Sequence, residues 1–290
     1  MGKCWSLHLG VNAIDERFYG HKKPLDNCIN DMRLMGLIAK SRGFKTKFLS
    51  SPRRNGDELA SKKNLISYLL EVSKENGGLG QGDVFLLTFA GHGFSLPNTC
   101  ALDSEADGRD ECWALYDKPI IDDEIYYYLR LISSKGAKII IISDSCHSGT
   151  VTRISPLVQE GSRQLSEDFV NDFLSRNLEW HKSFHCDTNG GNHSDNRGTI
   201  VLLSACQDDE ETKDSMKYCG LGLHESTENG AFTYIFSKII EENVFNGFYK
   251  IFFDELKSRC NAYCGTTPKL YILPGYDNKW LSSAEFLKCK

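Results

Sequence analysis

The chain has 290 residues, a quarter of them charged and 40% hydrophobic, and its formal charge is −5. That is the composition of an ordinary folded protein, long enough for one large α/β domain or two modest ones. The acidic balance speaks against nucleic acid as a partner, which would need a basic surface, and suits basic substrates, while no apolar run approaches membrane-spanning length.

In chain order, β-type apolar runs fall at 4–12 (CWSLHLGVN), 44–49, 83–90 (DVFLLTFA), 137–144 (AKIIIISD), 199–205 and 269–274. Between them apolar residues recur at helical spacing over 26–42, 57–75, 122–134, 229–242 and 246–260. This alternation predicts an α/β fold with a mostly parallel six-stranded sheet covered by helices on both faces. The opening MGKCWS matches the loose myristoylation pattern, but Trp5–Val11 reads as the first core strand, so no lipid anchor is expected. Residues 151–198 break the rhythm. They are polar, include NGGNHSDNRG, and read as a long linker-like insertion in a single domain spanning 1–290. Eleven cysteines, an odd number in a chain too large to need stapling, read as free thiols in a reduced, cytoplasmic protein, with Cys4, Cys146 and Cys206 in apolar strand-like settings.

Two strands end in chemically loaded tips. The run 83–90 leads into Gly91-His92-Gly93, and 137–144 leads into Ser145-Cys146-His147-Ser148-Gly149. In parallel sheets ligands collect at the carboxyl ends of strands. A cysteine nucleophile works as the thiolate and needs an imidazole to take its proton and return it to the leaving amine. His147 adjoins Cys146, but neighbours on an extended segment point apart, so His92 on the other tip is the better base. Glycines flanking His92 allow close backbone approach, as an oxyanion site requires. Either residue alone would more often be core filling or a surface hydrogen-bonder; the pair of tips carries the weight.

TFAGHG (88–93) followed by DSCHSG (144–149) resembles the caspase-like clan of cysteine peptidases, and within it the metacaspases and their bacterial relatives. Further pieces stand in family order: LHLGVN at the first strand, LDNCINDM (25–32), IDDEI (121–125), LLSACQDDE (202–210) and GAFTY (230–234). The resemblance implies a caspase-like three-layer sandwich and a cysteine endopeptidase with Cys146 as nucleophile and His92 as general acid–base. The backbone N–H groups of Gly93 and Cys146 would form the oxyanion hole. It also implies cleavage after Arg, less readily Lys, through acidic pocket residues: Asp31 and Asp144 match the metacaspase positions, and Asp208 would add a third charge. Two carboxylates suit the bidentate fork of a guanidinium. The plainer alternatives are a helix-dipole role for Asp31 and a strand-end acceptor role for Asp144. Ala90 stands where many metacaspases have serine.

Some family members are activated by calcium through aspartates. Asp107, Asp122 and Asp123 occupy matching positions, but Arg153 stands where a further acidic ligand is expected; no cofactor is assigned, calcium activation stays the alternative, and Asp122–Asp123–Glu124 reads as an acidic N-cap on the 122–134 helix. His181, His185, Cys186 and His193 form a weaker rival zinc motif, and no metal is assigned. Residues 151–198 match the inter-subunit linker of caspase relatives; Arg153, Arg163, Arg176, Lys182 and Arg197 within it are candidate self-cleavage sites. The expected partner is a protein or peptide substrate, and the chain is read as a monomer or a sheet-edge homodimer. The competing readings are a catalytically silent caspase-like interaction module and an Asp-directed caspase-type protease.

Overall fold

The computed structural model describes residues 2–97, 109–145, 163, 165–182, 197–205, 216–221, 226–244, 247–273 and 284–288. Its first half comprises β1 (Cys4–Val11), α1 (Glu16–Tyr19), α2 (Cys28–Ser41), β2 (Lys45–Ser51), β3 (Glu58–Leu59), α3 (Lys62–Val72), β4 (Val84–Ala90), β5 (Gly93–Pro97), β6 (Arg109–Ala114), β7 (Pro119–Ile121) and α4 (Asp122–Ser133). There follow β8 (Lys138–Asp144), α5 (Glu167–Lys182), β9 (Ile200–Ser204), β10 (Met216–Tyr218), β11 (Thr227–Asn229), α6 (Ala231–Glu242), α7 (Tyr249–Cys264) and β12 (Lys269–Leu273).

The main sheet has the order β12-β9-β8-β4-β1-β2-β3. All pairings are parallel except that of β12 with β9. The six expected strands are all present, and the two-residue β3 adds a seventh at one edge. Every residue of β4, VFLLTFA, is buried, as expected of a central strand covered on both faces. Alternation then sorts the side chains. Leu7 and Leu9, Phe85 and Leu87, and Ile139 and Ile141 enter one core with α3 and α4. Leu86, Ile140 and Ile142 enter the other, with α2, α6 and α7. This makes a three-layer α/β/α sandwich. No helix among the described residues is long and apolar enough to cross a membrane.

Beyond the six strands, the described residues form further pieces that the pattern did not announce, the smallest an antiparallel pair of β10 and β11. Strands β5, β6 and β7 make a separate antiparallel sheet, fastened to the main one by Phe89 stacked on Trp113 with centroids 4.5 Å apart. Within the expected linker, α5 is a helix kinked at Asn177. It buries Phe169, Val170 and Phe173, with Leu165 just before it, in the core shared with Tyr19 and Phe94. Aromatics four apart on a polar background suffice for that docking. Cys4 is also a correction. It is disulfide-bonded, whereas Cys28, Cys112, Cys219, Cys260 and Cys264 are in no disulfide. Pairing depends on two Cα atoms folding to within several ångströms, which spacing along a chain does not report.

Helix α2 lies hard against β1. Asn12, just past the strand, accepts from Ile29 N–H at 3.0 Å and donates to the Asp26 carbonyl at 2.7 Å, satisfying one of the donors at the helix start. The close approach is made at Gly10, where a Cβ would stand 2.6 Å from the Cys28 carbonyl oxygen and 2.9 Å from Ile29 Cα. Gly10→Ala must therefore push α2 outward, and should destabilise the chain by about 1–3 kcal/mol through overpacking. Urea denaturation would show this as a lower midpoint at unchanged slope; an unchanged midpoint would mean the helix is not fixed at this contact.

Candidate active site

The parallel register of β4 and β8 aligns Ala90 with Asp144, so the strands that precede the two chemically loaded tips end side by side. Cys146 and Asp208, like Asp107, His185, Cys186 and His193, lie outside the described residues. What the structure does place is His92, Gly93, Asp31 and Asp144, gathered around one further residue, Arg163.

Asp144 is an even-numbered residue of β8 and so continues the face covered by α2 and α6. There its Oδ2 accepts from Thr233 N–H at 3.2 Å and Thr233 Oγ1 at 2.5 Å. Asp31, in the first turn of α2, is fully buried. Its Oδ1 accepts from Asn229 Nδ2 at 2.9 Å and Gly230 N–H at 3.0 Å. The carboxyl is engaged by side chains and backbone from across the fold, which goes beyond a simple helix-dipole role.

Arg163 fills the space between the two acids, and its side chain is 0% exposed. Nη2 donates to Asp31 Oδ2. Nη1 donates to the Asp144 carbonyl at 2.9 Å and lies 2.7 Å from Asp144 Oδ1 as an ion pair rather than a well-angled hydrogen bond. The backbone of the same residue is held too. Gly93 N–H donates to the Arg163 carbonyl at 2.9 Å, and Leu165 N–H donates to the Gly93 carbonyl at 3.2 Å. No arginine adjoins either tip in sequence; this one arrives from the long segment, paired with the acids.

His92 is 4% exposed. Its Nε2 lies 2.9 Å from the Lys23 carbonyl. A carbonyl can only accept, so Nε2 carries the proton and Nδ1 keeps the lone pair a base needs. Nδ1 is buried without a hydrogen-bond partner among the described residues. Burial above all, with a smaller contribution from the Arg163 charge, lowers the imidazole pKa to about 4, against the raising effect of the Lys23 and Arg163 backbones. Lys23 adopts φ 32°, a strained left-handed conformation for a residue before proline, and that strain presents its carbonyl to His92.

Asp31 titrates high. Burial, first, and the neighbouring Asp144 raise its pKa to about 7, against the pull of Arg163 and Asn229. One guanidinium thus offsets two carboxylates incompletely.

The acidic start of α4 sits elsewhere. Glu124 reaches back to Ile121 N–H at 3.3 Å and pairs with Lys62 at 2.7 Å, so Ile121 is the cap and the acids fill the first turn. Asp122 and Asp123 line a cavity of about 520 Å³ with Glu111, Trp113 and Tyr271. Among the described residues no three His, Cys, Asp or Glu side chains gather as a metal site; Asp107 and Arg153, which the calcium reading also concerns, lie outside them. His181 is a helix residue bound to the Pro97 carbonyl at 3.0 Å.

A profile of the caspase domain matches residues 13–265. The chain belongs to the caspase-domain peptidase family. It is 25% identical over 250 residues to metacaspase-3 of Trypanosoma cruzi, covering 80% of this chain and 60% of that one. Metacaspase-6 of Arabidopsis thaliana is 31% identical over 171 residues, covering 56% and 41%. The chain thus spans three fifths or less of these curated relatives. A crystal structure of a protein from Geobacter sulfurreducens superposes with a TM-score of 0.80 at 29% identity, covering 99% of both chains.

Of the groups at this site, Asn229, Gly230, Thr233 and the Lys23 carbonyl were not singled out by sequence reasoning. Two of them lie within GAFTY, which was the available signal. Removing Arg163 should leave two buried carboxylates facing each other, at a cost of about 3–5 kcal/mol. Asp31 holds a proton in the folded chain that an ordinary carboxyl, pKa 3.8, has shed, so its contribution is full below that value and is lost as pH rises through about 7. Without Arg163 to lower the Asp31 pKa, the loss extends further upward. Urea midpoints of Arg163→Ala and its parent, both carrying Cys146→Ala to keep the chain intact, should therefore differ more at pH 8 than at pH 6. Equal differences would remove the electrostatic account.

Proposed function

We propose that this caspase-domain peptidase is an endopeptidase that cuts after arginine, less readily after lysine, and that its first substrate is its own Arg163–Gln164 bond. The observation that carries this is the seat of Arg163: the guanidinium lies between Asp31 and Asp144 while the carbonyl of the same residue accepts from Gly93 N–H. A substrate arginine needs those two anchorages together, a charge-paired side chain and a carbonyl polarised by a backbone donor.

In this mechanism Cys146 gives its proton to His92 Nδ1 and the thiolate attacks the arginine carbonyl carbon. The carbonyl π electrons move onto oxygen, and the oxyanion is held by Gly93 N–H and the Cys146 N–H. Collapse of the tetrahedral species breaks the C–N bond as His92 returns the proton to the departing amine. Water, deprotonated by His92, then attacks the thioester, expelling the thiolate and leaving an arginine carboxylate. The Lys23 carbonyl keeps the His92 lone pair on the working side throughout. When Arg163 leaves its seat, its charge no longer lowers the imidazole pKa and its backbone no longer raises it, so rehydration of the ring is what carries that pKa toward the range where a base is effective.

Mass analysis of purified wild-type chain should find a fragment beginning at Gln164, absent from Cys146→Ala and from Arg163→Gln. Fluorogenic peptides ending in Arg, Lys or Asp should be turned over in that order of preference, with Asp at background. His92→Ala should lose at least about a hundredfold. Preferential cleavage of the Asp peptide would reject the acidic-pocket reading, and fragments that persist in Cys146→Ala would reject self-cleavage.

A further inference from the structure

Gly230 occupies the N-cap of α6 with φ −59° and ψ 145° and makes no side-chain cap. Any L-residue adopts that conformation, and Ser, Thr, Asn or Asp there would add a capping bond. Neither the backbone nor the helix asks for glycine. The reason lies opposite it, in the pocket. A Cβ on residue 230 would stand 2.5 Å from Arg163 Nη2, 2.9 Å from its Cζ and 3.0 Å from Asp144 Oδ2. Retreat is blocked, because Gly230 N–H is bonded to Asp31 Oδ1 at 3.0 Å and its carbonyl accepts from Tyr234 N–H at 2.9 Å.

We infer that Gly230 is a specificity-determining residue, its bare Cα forming the wall that admits a branched guanidinium. This deepens the proposed arginine-cleaving reading and rests on it. Arginine carries two nitrogens beyond Cζ, and the one that would meet a new Cβ most closely is Nη2. Lysine ends in a single unbranched ammonium at about the depth of Cζ, on a stem that flexes. A methyl group at position 230 therefore penalises arginine more than lysine. A wall displaced by one carbon changes discrimination by roughly ten- to hundredfold.

The test compares kcat/KM for two peptides differing only in a terminal Arg or Lys, on the full-length wild type and on Gly230→Ala. Each Arg-to-Lys ratio is taken within one preparation, so the amount of folded enzyme cancels. The expected result is a ratio at least tenfold lower in Gly230→Ala, with the loss confined mainly to the arginine peptide. Gly230→Ser, which restores a capping group, should show the same direction of change. An unchanged ratio, whether both rates are intact or both fall together, overturns the inference, as does a Gly230→Ala chain that cleaves neither peptide while the wild type cleaves both. A wild type that cleaves neither overturns the arginine-cleaving reading itself, and this inference with it.

Discussion

Two carboxylates share one guanidinium in the buried interior, and the surrounding structure is arranged around that imbalance. Asp31 and Asp144 set two carboxyl groups against the single positive charge of Arg163, all three almost wholly buried. The missing half of the compensation comes from backbone and neutral donors. Asn229, the Gly230 N–H and both donors of Thr233 converge on the acids. Helix α6 has no side-chain cap of its own; the pocket aspartates take up N–H groups at its start, and in return the positive end of the helix dipole faces them. The first turn of α2, carrying Asp31, adds a second such end. Pocket and helices therefore hold each other in place, and neither acid can be moved without unsatisfying a helix terminus.

The same arrangement fixes what the backbone around the site must do. Gly10 lets α2 approach β1 closely enough to bring Asp31 under the sheet's carboxyl edge. The β4–β8 register carries Asp144 to the same depth. On the far side, α5 packs Phe169, Val170 and Phe173 into the core, so the chain following Arg163 is anchored at Leu165. Arg163 is thus held by the pocket, and the chain from Leu165 onward by a helix that belongs to the core.

Much of this was legible from the residues. The six main strands and the helices between them follow from apolar runs and periodicity, because a strand buried on both faces, such as Val84–Ala90, has little choice but to read as one. Asp31, Asp144 and His92 were legible through short motifs. What stayed hidden has a common physical character. Asn229 and Asp31 are 198 residues apart in sequence, and the Lys23 and Asp144 carbonyls are backbone groups that every residue possesses, so neither carries a sequence mark. Helix α5 was obscured because its apolar stripe is narrow and its other faces are polar. The disulfide at Cys4 and the small sheet formed by β5, β6 and β7 depend on chain reversals that periodicity does not encode. Cys146 and Asp208 lie outside the described residues, so their proposed roles as nucleophile and third acid rest on sequence motifs alone.

The geometry also bears on why arginine rather than lysine should be the preferred occupant on the proposed reading. Three of the four carboxylate oxygens already accept from protein donors or the guanidinium, and the remaining one, Asp144 Oδ1, faces Nη1 at 2.7 Å. A planar fork serves Asp31 through one terminal nitrogen and both the side chain and the carbonyl of Asp144 through the other. A single ammonium would have to sit between acids held apart by Thr233 on one side and by Asn229 and Gly230 on the other, satisfying one at the expense of the second. Because those holders are rigid backbone and short side chains, the acids cannot close around the smaller cation. Preference for the guanidinium is then a consequence of how firmly the carboxylates are fixed, more than of how much charge they carry.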